Sequence, residues 1–566
     1  MTSTELARWN ADVQSGDPAR IGPAAERLAE IKDDVETEWV FTLYDNLWRA
    51  QGGISGDIME GSGTDPRNDL PSAKITQTGE SRFIDALMEC RKTLVGITLE
   101  TAGLRYAYYV DTHEYKYENT AWTSTSNCLG IWDILNYLII YPLWFLPLQI
   151  QPISHAVFIG PLVTVIENMI AECALRVQSG IMEFLDNALS LNLDMRTWFG
   201  TLLQSNGNIF EMLKTPVYVV RTNPFLDTSP LVAKTVRMQS CGEVIKEITK
   251  PYGVDVRVDL WLPGDAQPDP WANLDQPTYV VTVKDRSQIE GPTKTVLDSV
   301  IRTVVDLEGS LVGKALDPLL NPRGEYVPTN FTGMHIAPAL GVDFVPPWTI
   351  IIAPEPGDKS SLISCEIVDH TPKGWQLTLG GKSPKWLNDL INATMSWLID
   401  SAMIIVGFTG VPSNILDGFL NDAFFAFQTI EHYTRRSEVG PYHPAIETMT
   451  ATNASPYNIE ALFSFIAKLW DTRGYTSAKA VFRNGEQYKL GKDIFRGALF
   501  SIVYMGRKRL FTDYIENIMW RFTRDERNVL VQVGDGKAEE APIAKHQRFI
   551  SGLQEAFNVL TLAPNS

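Results

Sequence analysis

The stretch from Ser383 to His432, SPKWLNDLINATMSWLIDSAMIIVGFTGVPSNILDGFLNDAFFAFQTIEH, constrains the fold most, because it sets helical periodicity between two blocks of strand-like sequence. Trp348 to Ala353, Leu362 to Asp369 and Gly374 to Gly380 read as strands before it, and Ala478 to Leu490 and Ala498 to Tyr504 after it. Ser383-Pro384 has the form of an N-cap followed by proline at the first helical position. Trp386, Leu387, Leu390, Ile391, Thr394, Trp397, Leu398 and Ala402 then recur at helical spacing. Gly407, Gly410 and Pro412 break the pattern, and Ser413 caps a second expected helix that carries Phe419, Phe424 and Phe427 on one side. The expectation is an amphipathic helical hairpin inserted into a β domain.

Three partners for its apolar face are open. Asp400 and Asp417 bracket an uncharged Ser401 to Leu416, shorter than the ~20 residues a membrane span requires. An aspartate at mid-bilayer costs about 2.5–3.5 kcal/mol against about 0.3–0.6 returned by each Ile or Phe, so a standing span is disfavoured. The hairpin therefore packs in its own subunit, at a subunit interface, or against a membrane only after a trigger. Trp386, Trp397, Met403, Ile404, Phe419, Phe424 and Phe427 are the candidate interface or membrane-facing residues. Burying each large apolar side chain contributes roughly 1.5–3 kcal/mol, which favours self-association over exposure.

The rest of the chain is expected to be α+β, with two small β-barrels carrying α-helical and α+β insertions. Residues 1–34 read as a helical arm, 35–133 as a first β-barrel, 134–235 as a proline-rich connector with a helical region, and 236–347 as an α+β insertion. The second barrel is read in two parts, 348–382 and 475–536, around the helical insertion 383–474, with a C-terminal helix over 537–566. Ile134 to Ile166 contains no Asp, Glu, Lys or Arg, but Pro142, Pro147, Pro152 and Pro161 interrupt it. Each interior proline disfavours a helix by roughly 3 kcal/mol, so a buried connector is expected there rather than a membrane helix.

The balance of charge excludes one class of function. Lys plus Arg number 49 and Asp plus Glu 67, a net charge of −18, which is unsuited to gripping nucleic-acid phosphates but suited to a wall that DNA slides past. Cys90, Cys128, Cys173, Cys241 and Cys365 have no CxxC pairing, so neither a disulfide framework nor a zinc site is signalled and buried free thiols are expected. The opening MTSTELARWNADVQ lacks a basic segment followed by an apolar one, so synthesis in a cytoplasm is expected. No HExxH, GxSxG, SxxK, P-loop or EF-hand pattern occurs, and GDGKAEE at Gly534 to Glu540 reads as a turn. His113, Glu114 and Glu118 in HEYKYE resemble a metal cluster, but strand alternation puts His113 and Glu114 on opposite faces. No catalytic residue, metal or cofactor is assigned. A paired-carboxylate hydrolase, which no motif would mark, is the enzymatic alternative.

YDNLWRAQG, LWFLPLQIQPISHAVFIGP, VYVVRTNPFLDTSP, WLPGDAQP, VKDRSQIEGPTKTVLDSVIRTVVDL, LGGKSPKWLND and GYTSAKAVFRNGEQYKLGKDIFRG, with the ending from DYIENIM onward, carry a family resemblance. The chain from about Glu38 resembles the minor tail proteins of long-tailed phages infecting actinobacteria, in particular the tail-tip (baseplate) hub, also called the tail-associated protein. The resemblance implies two tail-tube-like β-barrels per chain and a homotrimer forming a pseudo-sixfold ring beneath a distal tail protein ring. It also implies contact with a tape measure protein and other minor tail proteins, passage of genomic DNA through an acidic channel, and a closed tip that opens for genome ejection. A tail-associated cell-wall hydrolase and a membrane-perturbing tip with host membrane contact are the rival readings.

Overall fold

The computed structural model describes residues 3–28, 38–146, 151–178, 217–307, 341–380, 427–451 and 474–534 apart from a few positions within them, and also Lys468, Thr472 and Gly552. The chain divides into two units: Asp369–Thr476 with Glu540–Gln547 form one, and the remainder the other.

In the larger unit, α1 (Ser3–Gln14) and α2 (Pro18–Leu28) open the chain. They are followed by β1 (Val40–Tyr44), β2 (Ala50–Gly53), β3 (Ile58–Pro66), β4 (Ser72–Thr78), α3 (Ile84–Met88), β5 (Gly96–Thr101), β6 (Leu104–Glu118) and β7 (Ala121–Gly130). Next come α4 (Ile134–Tyr137), β8 (Ala156–Pro161), α5 (Leu162–Gln178), β9 (Val217–Val219), β10 (Leu231–Val236), α6 (Cys241–Thr249), β11 (Val254–Trp261), β12 (Thr278–Asp285), β13 (Ile289–Glu290) and α7 (Val296–Leu307). After β14 (Asp343–Phe344), β15 (Thr349–Ile352) and β16 (Leu362–His370), the smaller unit contributes β17 (Gln376–Gly380), β18 (Phe427–Glu431), α8 (Tyr433–Val439) and β19 (Glu447–Ala451). The chain then forms β20 (Tyr475–Arg483), β21 (Leu499–Tyr504), β22 (Arg509–Thr523) and β23 (Arg527–Val533).

The fold is predominantly β. Among the described residues thirteen strands join in one sheet, in the order β16-β20-β23-β22-β3-β4-β7-β6-β5-β1-β2, with β15 and β21 branching from β22. The sheet curls as a half-barrel. The strand groups near the two ends of the chain are hydrogen-bonded to each other through the antiparallel pair β22 and β3, from Asn517↔Pro66 to Thr523↔Glu60. One core lies against both groups: Phe41, Leu43, Ile97 and Tyr108 pack with Phe482, Phe500, Ile518 and Trp520.

The segment between those groups builds a second core in which α4, α5 and α6 pack on β8 to β12, with Trp132, Ile166, Val244 and Val281 buried. Ser240 caps α6 by accepting a bond from the Glu243 amide at 3.3 Å, as serine does at N-cap. In the uncharged run from Ile134, α4 is short, Ile139 bridges Ser240, Pro161 ends β8, and α5 begins at Leu162. No described helix is long and apolar enough to cross a membrane. The N-terminal arm is a helix pair whose Trp9, Val13, Ile21 and Ala24 pack on Ile350 and Val503.

Two expectations are corrected in the smaller unit. β17, read as part of the second barrel, pairs antiparallel with β18 and parallel with β19 in a separate three-stranded sheet. Phe427, read as the end of a second helix, opens β18 opposite Gly380. The insertion 383–474 is therefore not wholly helical. A short run such as FQTI fits either period, and pairing with β17 settles it as a strand. Arg435 is buried and donates to the Gly374 carbonyl at 3.2 Å and to Thr472 Oγ1 at 2.9 Å. Trp386, Trp397, Met403, Ile404, Phe419 and Phe424 lie outside the described residues, as does the expected C-terminal helix but for Gly552.

Candidate functional site

The seam between β3 and β22 is shaped by two missing side chains. Trp520 stands opposite Gly63, and a Cβ on Gly63 would meet the indole at 2.4–2.5 Å. The glycine lets a fully buried indole lie across the neighbouring strand. A Cβ on Gly61, two residues earlier, would lie 3.3 Å from the same ring. Trp520 Nε1 then donates to Tyr108 Oη at 3.1 Å, and its ring lies 6.0 Å from both Trp39 and Phe41. A seam residue is thus tied to three aromatic residues of the N-terminal group.

Buried charges close one end of the seam. Arg496 Nη1 donates to Asp65 Oδ1 at 2.8 Å, and its Nη2 lies 3.2 Å from Asp255 Oδ1. Arg67 forms an ion pair with Glu516 at 2.8 Å and donates to the Tyr252 carbonyl. The Asn68 amide donates to Thr249 Oγ1 at 2.9 Å and the Val254 carbonyl at 2.7 Å, and accepts from the Val256 amide at 2.8 Å. Burial pushes the Asp65 carboxyl up against the opposing pull of Arg496. For Arg496, burial opposes the charge while Asp255 and Asp65 hold it on, with a net rise in pKa. With the guanidinium at hydrogen-bond distance, the ionised pair is the state this geometry supports. Both strand groups and the central α/β layer are thereby locked together.

The sheet carries a cleft of about 620 Å³ across this seam, lined by Ser62, Thr64, Ser72, Lys74, Asn127 and Arg521 among others. Its lining is mainly apolar, with Leu129, Val481, Met519 and Leu530 exposing carbon between the polar groups, of which Thr64 and Ser72 are bonded at 3.0 Å and Arg521 is paired with Glu60 at 3.1 Å. A second cleft of about 780 Å³ is bordered by Glu38, Glu100, Arg105, Arg257, Asp259 and Asp265. There Arg105 pairs with Glu100 at 2.6 Å and Asp265 at 2.5 Å, and Arg257 pairs with Asp259 at 2.6 Å. Burial opposes ionisation of Asp265, yet bonds from Arg105 and the Leu262 amide hold its carboxyl below the usual range. No histidine lines either cleft. Such surfaces offer hydrogen bonds and shape to a partner.

His113 sits between Ser126 Oγ at 2.9 Å and Ser124 Oγ at 3.3 Å, and Glu118 is engaged by Lys116 at 2.6 Å. Among the described residues no group of three or more His, Cys, Asp or Glu is placed to hold a metal. All five cysteines are free; Cys128, Cys173 and Cys241 are buried as expected, whereas Cys90 and Cys365 are only half-buried. Sequence reasoning did not single out Trp520, Gly63, Asp65 or Arg496. The one local signal was the GSG of β3, since glycine inside a strand marks close approach of another group.

Residues 40–535 match the Siphovirus ReqiPepy6 Gp37-like protein family. No curated protein matches. Among solved structures, the chain is similar to the tail protein from Neisseria meningitidis MC58, at 8% identity and TM-score 0.36, over 89% of this chain and 99% of that one. It is also similar to the 43 kDa tail protein of prophage MuSo2 from Shewanella oneidensis, at 11% identity and TM-score 0.36, over 88% and 99%. Prophage tail protein gp18 from Listeria monocytogenes EGD-e gives 8% identity and TM-score 0.32, over 91% and 99%. These structural likenesses are too distant to carry an argument. The family match takes in every strand from β1 to β23, and by it the chain belongs to the Siphovirus ReqiPepy6 Gp37-like protein family.

Proposed function

We propose that the protein is a tail-tip hub: a homotrimer that closes the distal end of the tail tube of an actinobacterial phage and opens for genome ejection. The observation that carries this reading is the β3–β22 seam, which joins two strand groups of one chain in a single sheet. Three such chains set six strand groups around an axis, the count needed to meet a sixfold tube, with each group acting as one tube-like β-barrel. A heterologous contact of this kind closes into a ring when its rotation allows. The net charge of −18 suits a channel that passes DNA without binding it.

In this reading the sheet surfaces meet a distal tail protein ring, the tape measure protein and other minor tail proteins. The Ser383 to His432 segment, with Trp386, Trp397, Met403, Ile404, Phe419, Phe424 and Phe427, supplies a subunit interface below the ring. The role is structural rather than catalytic. Gold-labelled antibody against the protein on intact virions tests the placement: label confined to the tail tip supports it, and label along the tail shaft overturns it.

A further inference from the structure

Cys173 on α5 and Cys241, the first residue of α6, are 68 residues apart in sequence, and their sulfurs lie 3.5 Å from each other. Both are buried, at 2% and 0% exposure, within the second core. Cys241 Sγ–H points at Cys173 Sγ, and Cys173 Sγ–H in turn donates to the Ile139 carbonyl at 3.3 Å. The same carbonyl accepts Arg176 Nη2 at 2.8 Å, which brings a guanidinium next to the Cys173 sulfur. Arg176 is itself held over the Tyr141 ring at 3.8 Å. The bond from Cys241, aided by Arg176, lowers the Cys173 pKa despite its burial.

We infer that Cys173 and Cys241 are an oxidation site, and that they form a disulfide joining α5 to α6 when the protein meets a peroxide outside the reducing host cell. The second thiol at contact distance is the resolving partner that peroxide oxidation of a cysteine needs, and because both sulfurs are buried the peroxide reaches them when this core opens locally. The Cys173 sulfur attacks one oxygen of hydrogen peroxide; the O–O bond breaks, hydroxide leaves and takes up the thiol proton as water, and Cys173 becomes a sulfenic acid. The Cys241 sulfur then attacks the Cys173 sulfur, the S–O bond breaks, the S–S bond forms, and the departing hydroxide takes the Cys241 proton as a second water. Two thiols lose two electrons and two protons, and one peroxide becomes two waters. The sulfurs must close from 3.5 Å to about 2.05 Å, a shift of roughly 1.5 Å. The cross-link clamps the helix that leads towards residue 179 onto the core behind it.

The test uses the full-length protein, purified in reductant, desalted, treated with dilute hydrogen peroxide, then unfolded and alkylated for peptide mapping. The expected result is a Cys173–Cys241 cross-linked peptide pair that reductant separates. In Cys241→Ser, Cys173 is expected to stop at the sulfenic acid and be captured by dimedone. Cys173 and Cys241 both remaining alkylatable under conditions that oxidise the half-buried Cys90 and Cys365 would overturn the inference. So would progress of wild-type Cys173 to the sulfinic acid without a cross-link. Mapping of the wild-type protein decides the matter even if Cys241→Ser does not fold.

Discussion

Arg496 and Asp65, 431 residues apart in the chain, meet as a buried ion pair at 2.8 Å, with both side chains under 10% exposed. The pair fastens the turn before β21 to the end of β3, and Asp255 on β11 shares the same guanidinium. Replacing Arg496 with Met would leave two buried carboxylates without that cation. Breaking one side of a buried pair costs about 3–5 kcal/mol, and urea unfolding of Arg496→Met is expected to show a loss of that order. A loss under about 1 kcal/mol, the level of an exposed pair, would contradict the buried seam.

Gly63 carries a steric prediction. A methyl group there meets the indole of Trp520 at 2.4–2.5 Å, so the ring must move or β3 must separate from β22. Overpacking of this kind costs about 1–3 kcal/mol, and Gly63→Ala is expected to lower stability by that amount with a shift in tryptophan emission. A methyl group on Gly56 would have no neighbour within 4 Å, so Gly56→Ala is the matched control and should leave both readouts nearly unchanged.

His113 gives the molecule a pH response. Burial lowers its folded pKa below the ordinary value of about 6.5, so the unfolded chain binds the proton more readily. The contribution of neutral His113 to stability is complete above the unfolded pKa. It is lost as pH falls through that value towards the lower folded one. Wild type is therefore expected to lose stability relative to His113→Gln as pH is lowered from 7 to 5, read as the difference in urea midpoints. Parallel curves for the two proteins would show that the ring between Ser124 and Ser126 is not held neutral.

Local sequence carried much of the architecture. Trp348 to Ala353 and Ala498 to Tyr504 are legible as strands because β-branched runs and flanking turn residues act over a few positions, and they appear as β15 and β21. The joining of β3 to β22 is not legible, because a register between residues more than 450 apart leaves no mark on the periodicity of either strand. The pairing of β17 with β18 was hidden likewise, which is why Phe427 read as helical. At the seam, nothing local marks Asp65 and Arg496 as buried, since only the fold brings them together.

The trimer is the central claim, and the native mass of the purified full-length protein tests it most directly. Native mass spectrometry at micromolar concentration is expected to give three times the 63.3 kDa mass of one chain. A single-chain mass that persists across concentrations and in low salt would contradict the hub.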